Sequence, residues 1–215
     1  HEVNNLAENP DFAGILSEMK EALFDWQLEV GDIGLIPESE IERLKVKAGS
    51  DYAILRLEAD PAAYIRRLTS AATLASTFHD EEKILTLLSD DDPSVRYWGA
   101  TWAGNGAEKI NDAGKLITAL EDASEDLAPA VRIASARALC RLGEVEALST
   151  LQEELAGENQ WARLEAAIVL DELDEVARPA LDSLQGGLVD QPNKYIVRVS
   201  NKAVNDLLGT ANTVP

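Results

Sequence analysis

The sequence predicts an all-α chain in which successive helix pairs stack into an α-solenoid, a right-handed α-α superhelix. Self-similarity is the first reason. Four segments, opening at Val95-Arg96, Val131-Arg132, Ala162-Arg163 and Val197-Arg198, align without gaps, and their arginines stand 36, 31 and 35 residues apart. That interval suits one helix pair per repeat, a unit that cannot bury its apolar face alone. The second reason is a shared ending: Gly106, Leu142, Leu173 and Leu208 are followed by Ala107, Gly143, Asp174 and Gly209. Leucine followed by glycine marks a helix C-terminus, because glycine accepts the left-handed cap. The third is a polar or proline-containing turn ahead of each arginine, at 90–93, 124–129, 157–160 and 190–193.

Taken in chain order, an amphipathic helix is expected over about 12–29. Ile15, Met19, Ala22, Leu23 and Trp26 share one stripe of it, and that stripe needs a cover. The 31–38 stretch reads as an exit segment. Asp60-Pro61 with Ile65-Arg66, leading into Ala71, Ala72, Leu74 and Ala75, reads as a degenerate first repeat. The first helices of the later pairs are expected over 81–89, 111–123, 144–156 and 175–189, with Leu116, Leu120, Leu148, Leu151 and Leu155 facing inward. Pro93 and Pro129 stand where a first-turn proline needs no amide hydrogen, and acidic residues there complement the helix dipole. The expected organisation is a leading segment over 1–37, a repeat domain of four to five helix pairs over 38–210, and a tail over 211–215.

Composition narrows the partners. The 215 residues carry 19 basic and 39 acidic side chains, a net charge of -20. Such a surface repels phosphate backbones and anionic lipid, so neither nucleic acid nor a membrane is an expected partner. No run reaches the roughly 18 apolar residues of a membrane-spanning helix. The single cysteine, Cys140, cannot form an intrachain disulfide, and His1 and His79 are too few for a histidine-rich metal site. The opening at His1, already inside a motif, reads as a piece of a longer polypeptide.

The run Asp92-Pro93-Ser94-Val95-Arg96, followed by an alanine-rich helix and a Leu-Gly ending, resembles HEAT repeats, including the variant found in the phycobilisome-lyase type. The N-terminal segment resembles something else. Glu2, Asn5, Leu6 and Ala7 match the Glu-x-x-Asn-Leu-Ala segment that leads into the closing helix of sulfatase catalytic domains. Trp26 and the 31–38 stretch look like the exit from such a domain in members that continue into HEAT-like repeats. Pro93 to Trp98 and Ala177-Arg178-Pro179-Ala180-Leu181 extend the likeness over most of the chain.

The sulfatase resemblance implies a formylglycine made from a Cys-x-Pro-x-Arg or Ser-x-Pro-x-Arg segment, a divalent cation, expected to be calcium, and a periplasmic or secreted location. This chain carries neither the segment nor a set of cation ligands. Cys140 continues as Arg141-Leu142-Gly143, and at Pro93-Ser94-Val95-Arg96 the nucleophile position holds Asp91 while the arginine comes one residue late. No catalytic, cofactor or metal residue is assigned. The expected role is a non-catalytic accessory module at the C-terminus of a sulfatase-type hydrolase, with the catalytic domain of the same polypeptide as its partner and a protein or carbohydrate as a further ligand. The rival is a free-standing HEAT-like scaffold, and a third reading is a lyase acting on tetrapyrrole-bearing proteins.

Each candidate residue has two readings. Arg96, Arg132, Arg163 and Arg198 either bond to loop carbonyls and to acids such as Asp92, Asp126, Glu158 and Asp190, fixing register between repeats, or form a ladder for an anionic ligand. Tyr97, Trp98, Trp102, Trp161 and Tyr195 recur near the starts of second helices. They either fill the core beside Gly99 and Gly104 or form a sugar-stacking or docking strip. Asp90-Asp91-Asp92 lacks the alternating spacing of a calcium loop and reads as a helix cap. His79 reads as a turn residue.

Overall fold

The computed structural model describes residues 5–75, 80–110 and 113–211, and among these every regular element is helical. His1, Glu2, His79, Asn111 and the tail beyond residue 211 lie outside the described residues. The chain forms α1 (Ala13–Val30), α2 (Glu38–Ala48), α3 (Pro61–Ala75), α4 (Glu81–Leu88), α5 (Pro93–Gly106), α6 (Gly114–Ala123), α7 (Pro129–Leu142), α8 (Leu148–Ala156), α9 (Gln160–Glu172), α10 (Leu181–Gly186) and α11 (Lys194–Leu208). No described helix is long and apolar enough to cross a membrane.

Local chemistry sets the helix ends. Asp92 caps α5 by accepting from the amides of Ser94 and Val95, at 2.8 and 3.3 Å, and Asn159 and Asn193 cap α9 and α11 in the same way. Pro93 and Pro129 occupy the first turns of α5 and α7. At the other ends Gly143 and Gly209 are left-handed, with φ of 101° and 64°, and Asp174 takes the same turn at φ 49° where its repeat has no glycine.

Two expected helices come out shorter. The 144–156 helix opens with a 3-10 turn, Val145–Ala147, before α8 begins. The 175–189 helix is instead a 3-10 run, Asp174–Ala180, followed by the six residues of α10. Pro179 lies inside that run, where it has no amide to donate and its ring crowds the preceding turn. Gly187 then lets α11 come close, since a Cβ there would lie 2.5 Å from the hydroxyl of Ser200.

The helices pack in two rows. Helix α5 lies between α3 and α7, α7 lies against α9, and α9 against α11. The shorter α4, α6, α8 and α10 each cover the following helix, and α4 touches α6 as α8 touches α10. Single helices supply more than one apolar cluster. Val131, Ala134, Ala138 and Leu139 of α7 join the cluster around Trp102, Leu116 and Leu120, whereas its Ile133, Ala136 and Cys140 join Leu151, Leu170 and Leu184. Val95 of α5 packs with Ile36, Ile54, Tyr64 and Leu68 in a third. Helices α5 and α7 thus each contribute to two neighbouring clusters.

Two parts of the N-terminal region depart from expectation. Helix α2 and the 3-10 run Asp51–Leu57 were not foreseen, and α2 folds back onto α7 and α9. The third cluster joins Ile33, Leu35 and Ile36 to Ile41 and Leu44, so packing is continuous across the 37/38 boundary. On α1, the stripe expected to be covered is bare: Ile15, Met19, Leu23 and Trp26 are 54%, 66%, 55% and 54% exposed. The opposite side faces α3, where the guanidinium of Arg66 lies 4.1 Å from the centre of the Phe24 ring.

The repeat arginines tie neighbouring units together to different degrees. Arg96 donates through Nε and Nη2 to the carboxylate of Asp126, at 2.7 and 3.0 Å, and through Nη1 to the carbonyls of Asp90 and Asp91. Arg132 donates to Glu154 and to the carbonyl of Asp126. Arg163 reaches only a carbonyl, that of Leu155. Arg198 breaks the series: its guanidinium lies 5.7 Å from the Tyr195 ring, and no bond to Asp190 is present among the described residues.

Replacing Asp126 by alanine strands Arg96 and uncaps the amide of Ala128, to which Asp126 is bonded at 2.8 Å. The expected loss is about 2 kcal/mol, or roughly 4–8 °C in Tm. Thermal unfolding followed by circular dichroism checks it, and an unchanged midpoint would show that the bridge does not hold the repeats together.

Candidate functional site

Helices α5, α7 and α9 present one uncovered side, and the 34–38 segment lies across its end. Between them is a groove of about 510 Å³. Its lining follows the repeat register. Two residues beyond the repeat arginine stand Trp98, Ala134 and Glu165; five beyond, Thr101, Arg137 and Ile168; nine beyond, Asn105 and Glu172. Such spacings place side chains on one helical face. The small side chain of Ala134 in the middle row leaves room between Trp98 and Glu165.

The aromatic wall is fixed from both sides. The indole of Trp98 donates to the carbonyl of Leu35 at 2.9 Å, tying the N-terminal segment to α5. Its ring meets Tyr97 edge to face, with centroids 5.2 Å apart. Burial pushes the phenol of Tyr97 up to about 12, and the nearby Glu165 adds to the shift. Trp161 completes the wall from the start of α9, and its buried indole nitrogen has no hydrogen-bond partner.

The charged groups divide into engaged and unengaged. Arg137 donates to both carboxylate oxygens of Glu172, and Arg141 donates to one of them at 2.9 Å. The Arg137 bonds hold the Glu172 carboxyl below its ordinary range. Asn105 is spent on the carbonyl of Ala75. The Nη1 of Arg137 is buried without a partner beside Gly104, where a Cβ would stand only 2.6 Å away. Glu165 has neither an ion pair nor a hydrogen bond among the described residues. It is half-buried. Burial pushes it up to about 8, with repulsion from Glu154 of α8 as a second cause.

Among the aromatic candidates, Tyr97, Trp98 and Trp161 meet in this groove. Trp102 does not: it is 1% exposed and belongs to the core, so it offers no interaction surface. Gly99 allows that packing, because a Cβ there would meet Leu87 at 2.9 Å. Tyr195 stands half-exposed at the start of α11, beside Lys194 and Arg198 and away from the groove. Glu165, Arg137 and Glu172 went unrecognised in the sequence, although extending the repeat alignment two, five and nine residues past each arginine would have grouped them.

The remaining candidates serve the fold. Asp92 is a cap, Asp90 accepts from the amide of Asp92, and Arg67 lies 3.3 Å from Asp90. Cys140 is buried, and its thiol is pushed up to about 11 by that burial. Among the described residues no cluster of three or more His, Cys, Asp or Glu side chains is placed to hold a metal ion.

The Glu165 carboxyl keeps its proton in the folded chain up to about pH 8, whereas unfolded it ionises near its ordinary 4.5. Between those values the unfolded chain has released this proton while the folded chain still holds it, so raising the pH favours the unfolded state and lowers the stability of the fold. Glu165→Gln removes this loss. Above pH 8 the variant should be more stable than the parent by about 1–2 kcal/mol, discounted for water reaching the groove, and the difference should fade towards the ordinary value. Parallel Tm-against-pH curves for the two proteins would contradict it.

No protein-family model matches this sequence and no curated protein is similar to it, so the reading that follows rests on the groove, the helix register and the face of α1.

Proposed function

We propose that the chain is an α-solenoid of HEAT-like helix pairs acting as a non-catalytic accessory module at the C-terminus of a sulfatase-type hydrolase. Helix α1 is the element that docks it to the catalytic domain of the same polypeptide. The exposed stripe of Ile15, Met19, Leu23 and Trp26 carries this reading. An apolar strip along a whole helix asks for a partner surface. Phe12 and Leu6 extend it towards the N-terminus, where Asn5, Leu6 and Ala7 carry the sulfatase resemblance.

The two-row packing supports the solenoid part of the proposal. Each second helix contacts the next, and the core passes from cluster to cluster through α5 and α7. Arg96 and Arg132 fix adjacent units against each other by charge-assisted bonds. In this reading the sulfate-ester chemistry, the formylglycine and the calcium belong to the catalytic domain, and the whole protein works in the periplasm or outside the cell. The module's part is to brace that domain and extend its surface.

Hydrogen exchange tests the docking. The 13–30 amides should exchange more slowly in the polypeptide that includes the region encoded upstream of His1 than in the 215-residue chain alone. Met19→Asp combined with Leu23→Asp should abolish that protection while leaving the unfolding free energy of the chain alone within about 1 kcal/mol, since both positions are exposed. Equal exchange in the two polypeptides, or an upstream reading frame without a Cys-x-Pro-x-Arg or Ser-x-Pro-x-Arg segment, would leave a free-standing scaffold instead.

A further inference from the structure

We propose that the groove between α5, α7 and α9 binds a small alkylammonium ion, seated against Tyr97, Trp98 and Trp161 and charge-paired with Glu165. The inference is independent of how α1 docks.

The first argument is charge. None of the charged groups on the elements packed against α9 neutralises Glu165: on α2 the buried Glu40 is bonded to Arg43, and on α11 Lys202 is bonded to Asp171. Helix α7 contributes Arg137 and Arg141, both engaged by Glu172 of α9. Helix α8 contributes Glu154, already bonded to Arg132 and repelling Glu165. Helix α5 contributes the neutral phenol of Tyr97, and the N-terminal segment contributes Glu38 at the rim. A buried carboxyl without a counter-charge is costly when ionised. An entering cation removes that cost.

The second argument is the wall. Three aromatic side chains line the same groove as the free carboxyl, and the negative faces of aromatic rings attract ammonium groups. Leu164 and Ile168 add an apolar surface for an alkyl chain. The volume of about 510 Å³ lies within the range of sites for one small organic ligand.

Other ligand classes fit less well. An anion meets Arg137 Nε and Nη2 and Arg141 Nη1 already held by Glu172, the unpartnered Nη1 of Arg137 buried against Gly104, and a glutamate that repels it once ionised. A neutral sugar needs several free donors and acceptors, whereas Asn105 is bonded to Ala75 and the Arg137 fork to Glu172. Its hydroxyls could hydrogen-bond Glu165 but would bring no counter-charge. The net charge of -20 raises the local concentration of cations around the whole molecule.

Binding is coupled to a proton. Near neutral pH Glu165 is largely protonated, so entry of an alkylammonium converts the carboxylic acid to carboxylate and releases that proton to the buffer. The ammonium keeps its own protons and no covalent bond changes. Affinity should therefore rise as the pH is raised towards 8 and level off above it.

The test is isothermal titration calorimetry of the full 215-residue chain with n-butylammonium chloride, and with n-butanol as the uncharged analogue of similar length. Saturable binding of n-butylammonium at millimolar concentration is expected, tighter above pH 8 than at pH about 6, with proton release revealed by buffers of different ionisation heat. Glu165→Gln should weaken it at least tenfold, about 1.4 kcal/mol, while keeping its helical circular dichroism. Trp161→Leu, which leaves the carboxyl in place, should weaken it severalfold. Equal binding of n-butanol, unchanged binding by Glu165→Gln in a folded protein, or no saturation with n-butylammonium would each overturn the proposal.

Discussion

Helix α7 is enclosed by α5, α6, α8 and α9 at once, and only small side chains permit that. Ala130, Ala134, Ser135, Ala136 and Ala138 are all buried there, as are Val131, Ile133, Leu139 and Cys140. On the facing helix, Gly99 and Gly104 stand where a Cβ would strike Leu87 and Arg137. Interiors pack at crystal-like density, so such an approach leaves little freedom in how the rows slide. The arginine bridges then act on surfaces already brought close. Arg96 can bond Asp126 with two donors because the turns of neighbouring repeats lie side by side.

A helix buried on three sides has one side left, and its position follows from the helical period. For α5, α7 and α9 that side carries the residues two, five and nine beyond the repeat arginine. Those positions are free of the packing demands that make the rest of each helix alike. They are accordingly the least repetitive part of the repeats: Trp98, Ala134 and Glu165 have nothing in common except their place. The N-terminal segment uses the same side as a platform. The bond from Trp98 to Leu35 and the burial of Ile36 fix the chain across the end of the groove, turning an open helical surface into a walled one.

The helical class, the second helices and their capped ends were legible in the sequence because each rests on local signals repeated several times. The prolines of α5 and α7, the capping Asp92 and Asn159, and the glycines at 143 and 209 need no tertiary information. Helix α2 carried no repeat partner and few apolar residues, so nothing local marked it. Its burial of Ser39 and Glu40 comes from contact with helices about a hundred residues away in sequence. Pro179 was visible, yet periodicity across 175–189 masked its effect on helix length. The aromatics illustrate the limit most clearly. Trp98 and Trp102 are one helical turn apart, and only the crossing of α4 and α7 decides that one lines a groove while the other is core.

Glu165 is the point at which this logic leaves a charge unresolved. Several acids and bases of neighbouring helices are paired: Arg96 with Asp126, Arg132 with Glu154, Arg137 and Arg141 with Glu172, Lys202 with Asp171. Packing cannot require a carboxyl at 165, since the corresponding position two repeats earlier accommodates Trp98 and the one between accommodates Ala134. Glutamine would fill the same space without the charge. A carboxyl placed where it must stay protonated to be tolerated, and surrounded by aromatic rings, makes the fold less stable as the pH rises towards 8. The same arrangement favours an incoming cation, because the charge it meets has no competing partner among the described residues. Stability given up at this position and affinity for a cation are two consequences of one unpaired group.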